Sequence, residues 1–296
     1  MRSSFKDHIE WLLIEKPADD DFDFIEGIFA LPQDIRDALR QPLLRPRFIN
    51  EKSLRYTVLH VPVYHKRERH PHAVEIDLLA SANAVVTIAF GATPVLTEIA
   101  QQVEKDPAFA RRLLGKSTDH LLWELHSRLL DFVNRQLDHI QKKLERAEER
   151  VIKSQSRKEL LEEFAILSSD ILDIRRIVKP QRVVFEDLAN TDGSRWEALL
   201  GEFDRLLERI ENYKDSSEAL YETFQTLVSM RTNEIMRVLT IIATLTFPLS
   251  LLTSLFGMNA VATPFVTQPY GFWAVTGIIV ALSATMLAIF RSREWF

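Results

Sequence analysis

The tripeptide Gly257-Met258-Asn259, near the C-terminal end of the chain, could act on a metal ion although none of its side chains is charged. An asparagine side chain offers a neutral carbonyl oxygen, and Mg2+ accepts oxygen ligands but gives up its bound water reluctantly. A ring of Asn259 side chains from several copies could therefore select a hydrated ion through hydrogen bonds to its water shell. Taken alone, the tripeptide is more typical of a helix C-cap, in which glycine ends the helix.

The segment before this tripeptide carries one helical face of small and apolar side chains. Its members recur at steps of three or four residues and are Met236, Leu239, Ala243, Phe247, Ser250 and Ser254. Copies of this face around an axis would form a pore with an apolar inner neck, which can gate by dewetting, and a hydroxyl-bearing outer part. Small residues also favour ordinary helix–helix contacts, so the pattern by itself leaves both interpretations open.

Two further clusters could hold a metal ion. They are the histidines His60, His65, His70 and His72, and the acidic residues Asp19, Asp20, Asp21 and Asp23. A solvated loop is the favoured interpretation of each cluster, and a divalent-metal site is the alternative. The chain has no cysteine, which excludes a thiolate site. It also has no Walker loop, HExxH or GxSxG motif, so we expect no catalytic residues and no enzymatic activity.

The elements that position the tripeptide are predicted to be membrane helices. Residues 238–290 contain no Asp, Glu, Lys, Arg or His. Val238–Phe256 and Phe272–Phe290 are 19 residues each, nearly enough to cross a hydrocarbon core of roughly 30 Å, and 257–271 reads as the outer loop between them. A buried hairpin of a soluble protein is the weaker alternative, because even core helices of soluble proteins keep a polar face.

The flanking charges predict the orientation. Arg231 and Arg237 precede the first helix, Arg291 and Arg293 follow the second in a basic tail at 291–296, and the connecting loop has no Lys or Arg. By the positive-inside rule both termini are cytoplasmic. The absence of a targeting segment fits a bacterial inner (plasma) membrane. The first residues lack the apolar stretch of a signal peptide, which agrees. The net charge of -5 argues against nucleic acid as a partner.

The residues before the membrane helices predict a cytoplasmic α+β domain at 1–115, with strands near 52–64, 73–79 and 84–90, and a helical hairpin at 116–193. A long stalk helix follows at 194–256 and continues into the first membrane helix at about 238–256, because no glycine or proline interrupts it between Gly201 and Pro248. Trp196, Phe203, Ile210, Ser217, Phe224 and Arg231 lie seven apart, and Leu199, Leu206, Tyr213, Leu220 and Leu227 form a partner row. This seam could pack between subunits or against the chain's own preceding helices.

The C-terminal part of the chain resembles the CorA family of divalent cation channels. The resemblance is carried by RTNEIMRVLTIIAT at 231–244, Pro248, Phe256-Gly257-Met258-Asn259, Tyr270-Gly271 and Trp295-Phe296. The likeness is strong over 231–296 and architectural over 1–230. It implies a CorA-like fold and a homopentamer in the bilayer, with Mg2+ uptake and also Co2+ and Ni2+ transport. No prosthetic group is implied. Asn259 would be the outer filter for the hydrated ion, and Gly257 and Met258 would shape its loop. Asn233, Met236, Leu239, Phe247 and Ser250 match pore-facing positions of the family.

Two departures from the family pattern affect this interpretation. The outer loop Ala260–Pro269 has no carboxylate, as in the related ZntB-type zinc transporters, so Zn2+ is the alternative to the favoured Mg2+. The family's carboxylates for sensing Mg2+ at cytoplasmic interfaces have no Asp counterpart on the seam at 196–202, although Glu197, Glu202 and Asp204 could substitute. A membrane-anchored coiled-coil scaffold is a more remote alternative.

Overall fold

The computed structural model describes residues 2–29, 31–42, 45–51, 53–64, 70–153, 157–258 and 268–292. The chain divides into two compact units, Met1–Tyr221 and Glu222–Phe296. The predicted fold class is confirmed: a mixed α+β region precedes long helices and two C-terminal apolar helices. The division falls inside the helix that runs from Ser194 to Gly257.

The first unit is built on a six-stranded sheet with strand order β1-β2-β6-β5-β4-β3. Strands β2 and β6 are parallel and all other neighbours are antiparallel. The strands are β1 (Arg2–Lys6), β2 (Glu10–Glu15), β3 (Arg47–Glu51), β4 (Leu54–Tyr64), β5 (Pro71–Ala80) and β6 (Ala84–Ala89). The sequence predicted the interior strands β4, β5 and β6. It did not predict the interior strand β2 or the edge strands β1 and β3, which are short and largely exposed.

The sheet separates two hydrophobic cores, because successive strand side chains point to opposite faces. On one face Tyr56 and Val58 pack with the short helices α1 (Asp19–Ile28) and α2 (Gln33–Arg40). On the other face Leu59 and Val61 pack with the remaining helices of the unit. These are α3 (Pro94–Lys105), α4 (Pro107–Leu114), α5 (Thr118–Ile152), α6 (Arg157–Val178), α7 (Arg182–Asp192) and the first part of α8 (Ser194–Gly257).

Helix α5 begins with a local cap and then follows its hydrophobic period. The Ser117 hydroxyl accepts a hydrogen bond from the His120 amide at 3.2 Å, which satisfies one free amide of the first turn. Leu122, Leu125 and Leu129 are buried as the period predicts.

A 3-10 turn at Lys179–Gln181 joins α6 to α7, and Pro180 lies within that turn.

Helix α8 runs without a break from Ser194 to Gly257, where the sequence predicts one helix at 194–256. The N-terminal part of its heptad seam, which includes Trp196, Phe203 and Ile210, is buried in the chain's own core with α5, α6 and α7. Leu227, further along the seam, is 42% exposed. The N-terminal part of the seam therefore packs against preceding helices of the same chain.

The second unit contains the two apolar helices predicted to span a membrane. A window of α8 has mean hydropathy 1.9 and one of α9 (Gly271–Ser292) has 2.1, and only 6% and 0% of these windows are buried. In the described part of the chain, the apolar side chains of these two helices are therefore mostly exposed, whereas a soluble core would cover them. The described residues of the chain therefore do not bury these two helices in a core of their own, which fits spanning helices, whose backbone polar groups are satisfied within each helix.

Candidate cation pathway

The predicted pore-facing residues lie on exposed positions of α8. Met236 is 55%, Leu239 57% and Phe247 73% exposed. Asn233, Ala243, Ser250 and Ser254 are exposed as well. One chain therefore leaves this face open along its whole length, with apolar side chains that lipid or other copies must cover. The arrangement is compatible both with a pore lining and with a helix–helix contact.

Hydroxyl groups at the outer end of α8 fall into two groups. The Thr253 hydroxyl donates to the Leu249 and Ser250 carbonyls at 3.0 and 2.9 Å, as threonine commonly does inside a helix. Ser250 and Ser254 are exposed, so their hydroxyls can bond to water on the predicted pore face.

The tripeptide lies at the end of this helix. Helix α8 ends at Gly257, and the Met258 amide donates to the Leu255 carbonyl at 3.4 Å. Met258 is 59% exposed. A Cβ placed on Gly257 would meet no atom within 4 Å, so steric crowding among the described residues does not require glycine there. Asn259, the predicted filter, lies outside the described residues, and its assignment stays a prediction.

The structure separates the histidines that the sequence grouped together. Strand register pairs His60 with Glu75 and His72 with Val63, and the His60 Nε2 lies 3.2 Å from a Glu75 carboxylate oxygen. Within the described ranges, no group of three or more histidine or acidic side chains is placed to hold a metal ion. His65 lies outside those ranges. Strands β4 and β5 set His60 and His72 at different positions along the ladder, so the described residues do not support the metal-site alternative.

His70 instead lies beside a buried carboxylate. Its Nδ1 is 3.1 Å from Asp170, whose side chain is fully buried on α6, and the Lys143 ammonium of α5 donates to the other oxygen at 2.6 Å. The Tyr64 ring lies under the same ammonium, and burial raises the pKa of the Tyr64 hydroxyl. These contacts join the β4–β5 end of the sheet to α5 and α6. Asp170 was not predicted from the sequence, where its only signal is an acidic residue at a buried step of α6.

The acidic run at 19–23 stabilises a helix terminus. Asp19, Asp20 and Asp21 occupy the first turn of α1, where negative charge is favoured. The Asp21 carboxylate accepts a hydrogen bond from the Ala18 amide at 3.0 Å. Asp23 accepts one from the Arg40 guanidinium at 2.8 Å. The cluster therefore has a structural role in the contacts that the structure describes.

Of the three residues that could sense intracellular ions, Asp204 is held by a protein contact. The Arg182 guanidinium donates two hydrogen bonds to Asp204, at 2.8 and 3.3 Å, so this carboxylate already has a cationic partner. Glu197 and Glu202 are exposed on α8. Further along, hydrogen bonding to Arg175 lowers the pKa of Glu211. Guanidinium groups of α6 and α7 thus neutralise two carboxylates of α8.

Comparison with known proteins agrees with this architecture. The profile of the family described as CorA-like Mg2+ transporter protein matches residues 6–292. YfjQ of Bacillus subtilis, named as a metal ion transporter, is 27% identical, and the match covers 97% of this chain and 89% of that protein.

Solved structures give the same fold. The complete CorA magnesium transporter of Methanocaldococcus jannaschii has a TM-score of 0.82 at 17% identity, covering 99% of this chain and 94% of that one. The cytoplasmic domain of ZntB from Vibrio parahaemolyticus has a TM-score of 0.63 at 16% identity, covering 76% of this chain and 90% of that one. Because the family profile extends over nearly the whole length, across both units and both apolar helices, the chain belongs to the CorA family of divalent metal cation transporters.

Proposed function

We propose that this protein takes up divalent cations, chiefly Mg2+ and also Co2+ and Ni2+, through a homopentameric pore. The exposed, charge-free face of α8 that leads directly to Gly257-Met258-Asn259, in a member of the CorA family, is the observation that carries this function. Five copies of α8 around one axis would cover the apolar surface that a single chain leaves open. The membrane potential drives entry, since two charges gain about 4.6 kcal/mol per 100 mV on moving inward.

Each part of the pathway has a role that follows from its chemistry. Asn259 binds the hydrated ion through its amide, and the hydroxyls of Ser250 and Ser254 then bond to the ion's water shell. Met236 and Leu239 form an apolar neck at the cytoplasmic end, where water leaves readily and conduction stops. Opening requires this neck to widen enough for the ion to pass with its water.

The pathway residues favour Mg2+ over Zn2+. The predicted lining offers amide and hydroxyl oxygens, and the segment 238–290 contains no histidine and the chain no cysteine. Zn2+ prefers nitrogen and sulfur ligands, whereas Mg2+ prefers oxygen and keeps its water. Zinc transport is the second candidate function, supported by the likeness to the ZntB cytoplasmic domain and by the uncharged outer loop. Fold likeness to both proteins does not choose between the ions.

One uptake experiment separates the two candidates. The purified protein is reconstituted in liposomes, and entry of Mg2+, Co2+ and Zn2+ is followed with fluorescent indicators, with and without a pH gradient. We expect Mg2+ entry that follows the membrane potential and does not need the pH gradient. Zn2+ entry that needs the gradient, without Mg2+ entry, would instead establish the zinc function. A scaffold would transport none of the three ions.

We further propose the division of the chain and its orientation. The cytoplasmic part comprises the α+β domain at 1–115, the helical hairpin at 116–193 and the stalk at 194–237. The first membrane helix at 238–256, the outer loop at 257–271, the second membrane helix at 272–290 and the tail at 291–296 complete it. Arginines on the inner flanks, Arg237 and Arg291 among them, support cytoplasmic termini. Protease added outside sealed cells should leave the N-terminal domain intact.

A further inference from the structure

Two arginines flank the uncharged membrane segment. Residues 238–290 contain no Asp, Glu, Lys, Arg or His; Arg237 directly precedes them and Arg291 directly follows them. Arg237 belongs to α8 and Arg291 to α9, and both residues are exposed. The two guanidinium groups therefore lie where the apolar helices leave the hydrocarbon core and enter the layer of lipid headgroups.

Both arginines meet the same layer of the bilayer. The apolar stretches beside them, Val238–Phe256 and Phe272–Phe290, are 19 residues each and therefore about 28 Å long. The outer ends of α8 and α9 meet, because residues of both helices line one pocket beside the connecting loop. Two helices of equal length that meet at the outer end return the chain to its starting depth. Arg291 therefore lies at the level of Arg237.

These two charges differ from the arginines of the first unit in their contacts. There the Arg182 guanidinium, for example, is paired with Asp204 at 2.8 Å. Among the described residues, no carboxylate forms an ion pair with Arg237 or Arg291. Glu234 is exposed three residues before Arg237, further from the apolar stretch. An unpaired cation at the edge of a hydrocarbon layer is poorly solvated, so an anion from outside the chain would stabilise it.

Arg237 lies outside the predicted pore face. Successive residues of a helix are about 100° apart, so Arg237 is turned by that angle from Met236, which belongs to the face. A guanidinium group inside the pathway would also repel the cations that pass through it. The charge of Arg237 is therefore available to a partner outside the pathway.

Apolar side chains next to both arginines are exposed as well. Val238, beside Arg237, is 50% exposed, and Leu287 and Ile289, shortly before Arg291, are 46% and 53% exposed. A soluble anion would leave this apolar surface uncovered. A phospholipid covers it with its acyl chains while its phosphate remains beside the arginines, so a lipid fits both the charge and the apolar surface.

We propose that Arg237 and Arg291 bind the phosphate of an anionic phospholipid in the inner leaflet. A planar guanidinium group can donate two parallel hydrogen bonds to phosphate oxygens, and anionic headgroups attract basic residues beside a membrane helix. A zwitterionic lipid carries its own ammonium group and therefore neutralises the two arginines less well. This inference rests on the membrane placement and orientation proposed above.

A lipid-retention experiment tests the proposal. The purified full-length protein is incubated in detergent with equal amounts of phosphatidylglycerol and phosphatidylcholine that have the same acyl chains. It is then purified again, and mass spectrometry measures the amount of each lipid per chain. We expect at least threefold more phosphatidylglycerol than phosphatidylcholine. Equal amounts of the two lipids would overturn the proposal.

Substitutions show whether the two arginines are the site. The double variant Arg237→Gln with Arg291→Gln should lose at least threefold of the bound phosphatidylglycerol, whereas Arg237→Lys with Arg291→Lys should keep most of it. Arg205→Gln is the matched control, because Arg205 is exposed on α8 about 48 Å along the helix from Arg237. It should retain the lipid. Undiminished retention in the double glutamine variant would place the lipid elsewhere and refute the site.

Two conditions test the unchanged protein without any substitution. Sodium chloride at about 0.5 M should release phosphatidylglycerol, because salt screens exposed charges. Retention that salt does not alter would contradict binding through the arginines, even if the double variant did not assemble. Inorganic phosphate at about 10 mM should leave the lipid bound. Displacement of the lipid by phosphate would identify a soluble anion as the ligand and overturn the choice of a lipid.

The assay does not depend on ion transport, so the two proposals fail separately. A protein that retains phosphatidylglycerol but takes up no divalent ion in liposomes would refute the proposed function alone. A protein that takes up Mg2+ but does not distinguish the two lipids would refute only the lipid site.

Discussion

At the scale of single residues, the groups that looked most suited to metal chemistry have structural contacts. His60, Asp23 and Asp204 each have a protein partner within 3.2 Å. The proposed transport chemistry depends instead on neutral oxygens, because a hydrated ion needs hydrogen-bond acceptors and not tight ligands. Charged side chains in the membrane would also be costly to bury.

The filter assignment makes the first prediction. Asn259→Ala removes the amide oxygen, and Asn259→Asp replaces a neutral acceptor by a charge that holds the ion too strongly. We expect either change to reduce Mg2+ uptake in liposomes at least tenfold without altering assembly, measured by size-exclusion chromatography. Asn212→Ala, at an exposed position of α8 outside the pathway, serves as the control and should transport normally. Normal uptake by both Asn259 variants would refute the filter.

The second prediction concerns Asp77, which is fully buried in β5 and accepts a hydrogen bond from the Tyr56 hydroxyl at 2.9 Å. Burial raises the pKa of Asp77 well above its usual 3.8. The folded protein therefore favours the protonated form, and the associated stability is full below pH 3.8 and is lost as pH rises through the raised pKa. Asn is neutral at every pH and can accept the same hydrogen bond.

Asp77→Asn should accordingly raise the melting temperature at pH 8 by at least about 2 °C, and by less at pH 4.5. Tryptophan fluorescence of the full-length protein in detergent measures this. Asp131→Asn, at an exposed position of α5, should show no such pH-dependent gain. A gain of equal size at both pH values would mean that ionisation of Asp77 is not its source.

At the scale of elements, the edge of the sheet determines how the helices are attached. Strand β3 pairs with β4 only as far as Val58, which leaves the rest of that edge open. The Gln181 side chain bonds to the backbone of His60 there, and Pro62, two residues further on the same edge, has no amide to offer. One glutamine thus takes the place of a neighbouring strand and attaches the α6–α7 junction.

Gln181→Ala is the third prediction. It removes the hydrogen bonds of the Gln181 side chain to the His60 backbone and to the Ile177 carbonyl, each worth about 0.5–1.5 kcal/mol. We expect the melting temperature of the full-length protein to fall by several degrees, measured by differential scanning fluorimetry. Gln101→Ala, at an exposed position of α3, is the control and should change it by less than about 1 °C. Equal melting temperatures for both variants would contradict the proposed attachment.

At the scale of the whole molecule, one chain leaves much apolar surface uncovered. Leu227, Met230 and Ile235 are 42%, 62% and 63% exposed on α8, before the charge-free segment begins. Exposed apolar side chains outside a bilayer favour contact between copies, and closed rotational symmetry lets every copy bury the same surface. The proposed pentamer would meet this requirement.

The fourth prediction is therefore the assembly itself. Five copies of the 34.3 kDa chain should give a complex of about 170 kDa in native mass spectrometry. Leu227→Glu places a charge on the uncovered surface and should reduce the pentamer fraction at least twofold. Ile152→Glu, at the exposed end of α5, is the control and should leave the fraction unchanged. A stable monomer or dimer of the unchanged protein would exclude the proposed ring.

Local pattern alone determined much of this protein. A run of 53 uncharged residues indicated two spanning helices, and the absence of glycine and proline between Gly201 and Pro248 indicated one continuous α8. Both are properties of neighbouring residues, which periodicity and composition report directly. The same holds for the buried stripe of α5.

Only the tertiary structure decided which distant residues meet. It buried Trp196 against helices of its own chain, separated His60 from His72 along a strand ladder, and brought Arg182 to Asp204 and Gln181 to the edge of β4. These contacts depend on strand register and on the packing of elements far apart in sequence. Local spacing carries no information about either, so these contacts could not be predicted from the sequence.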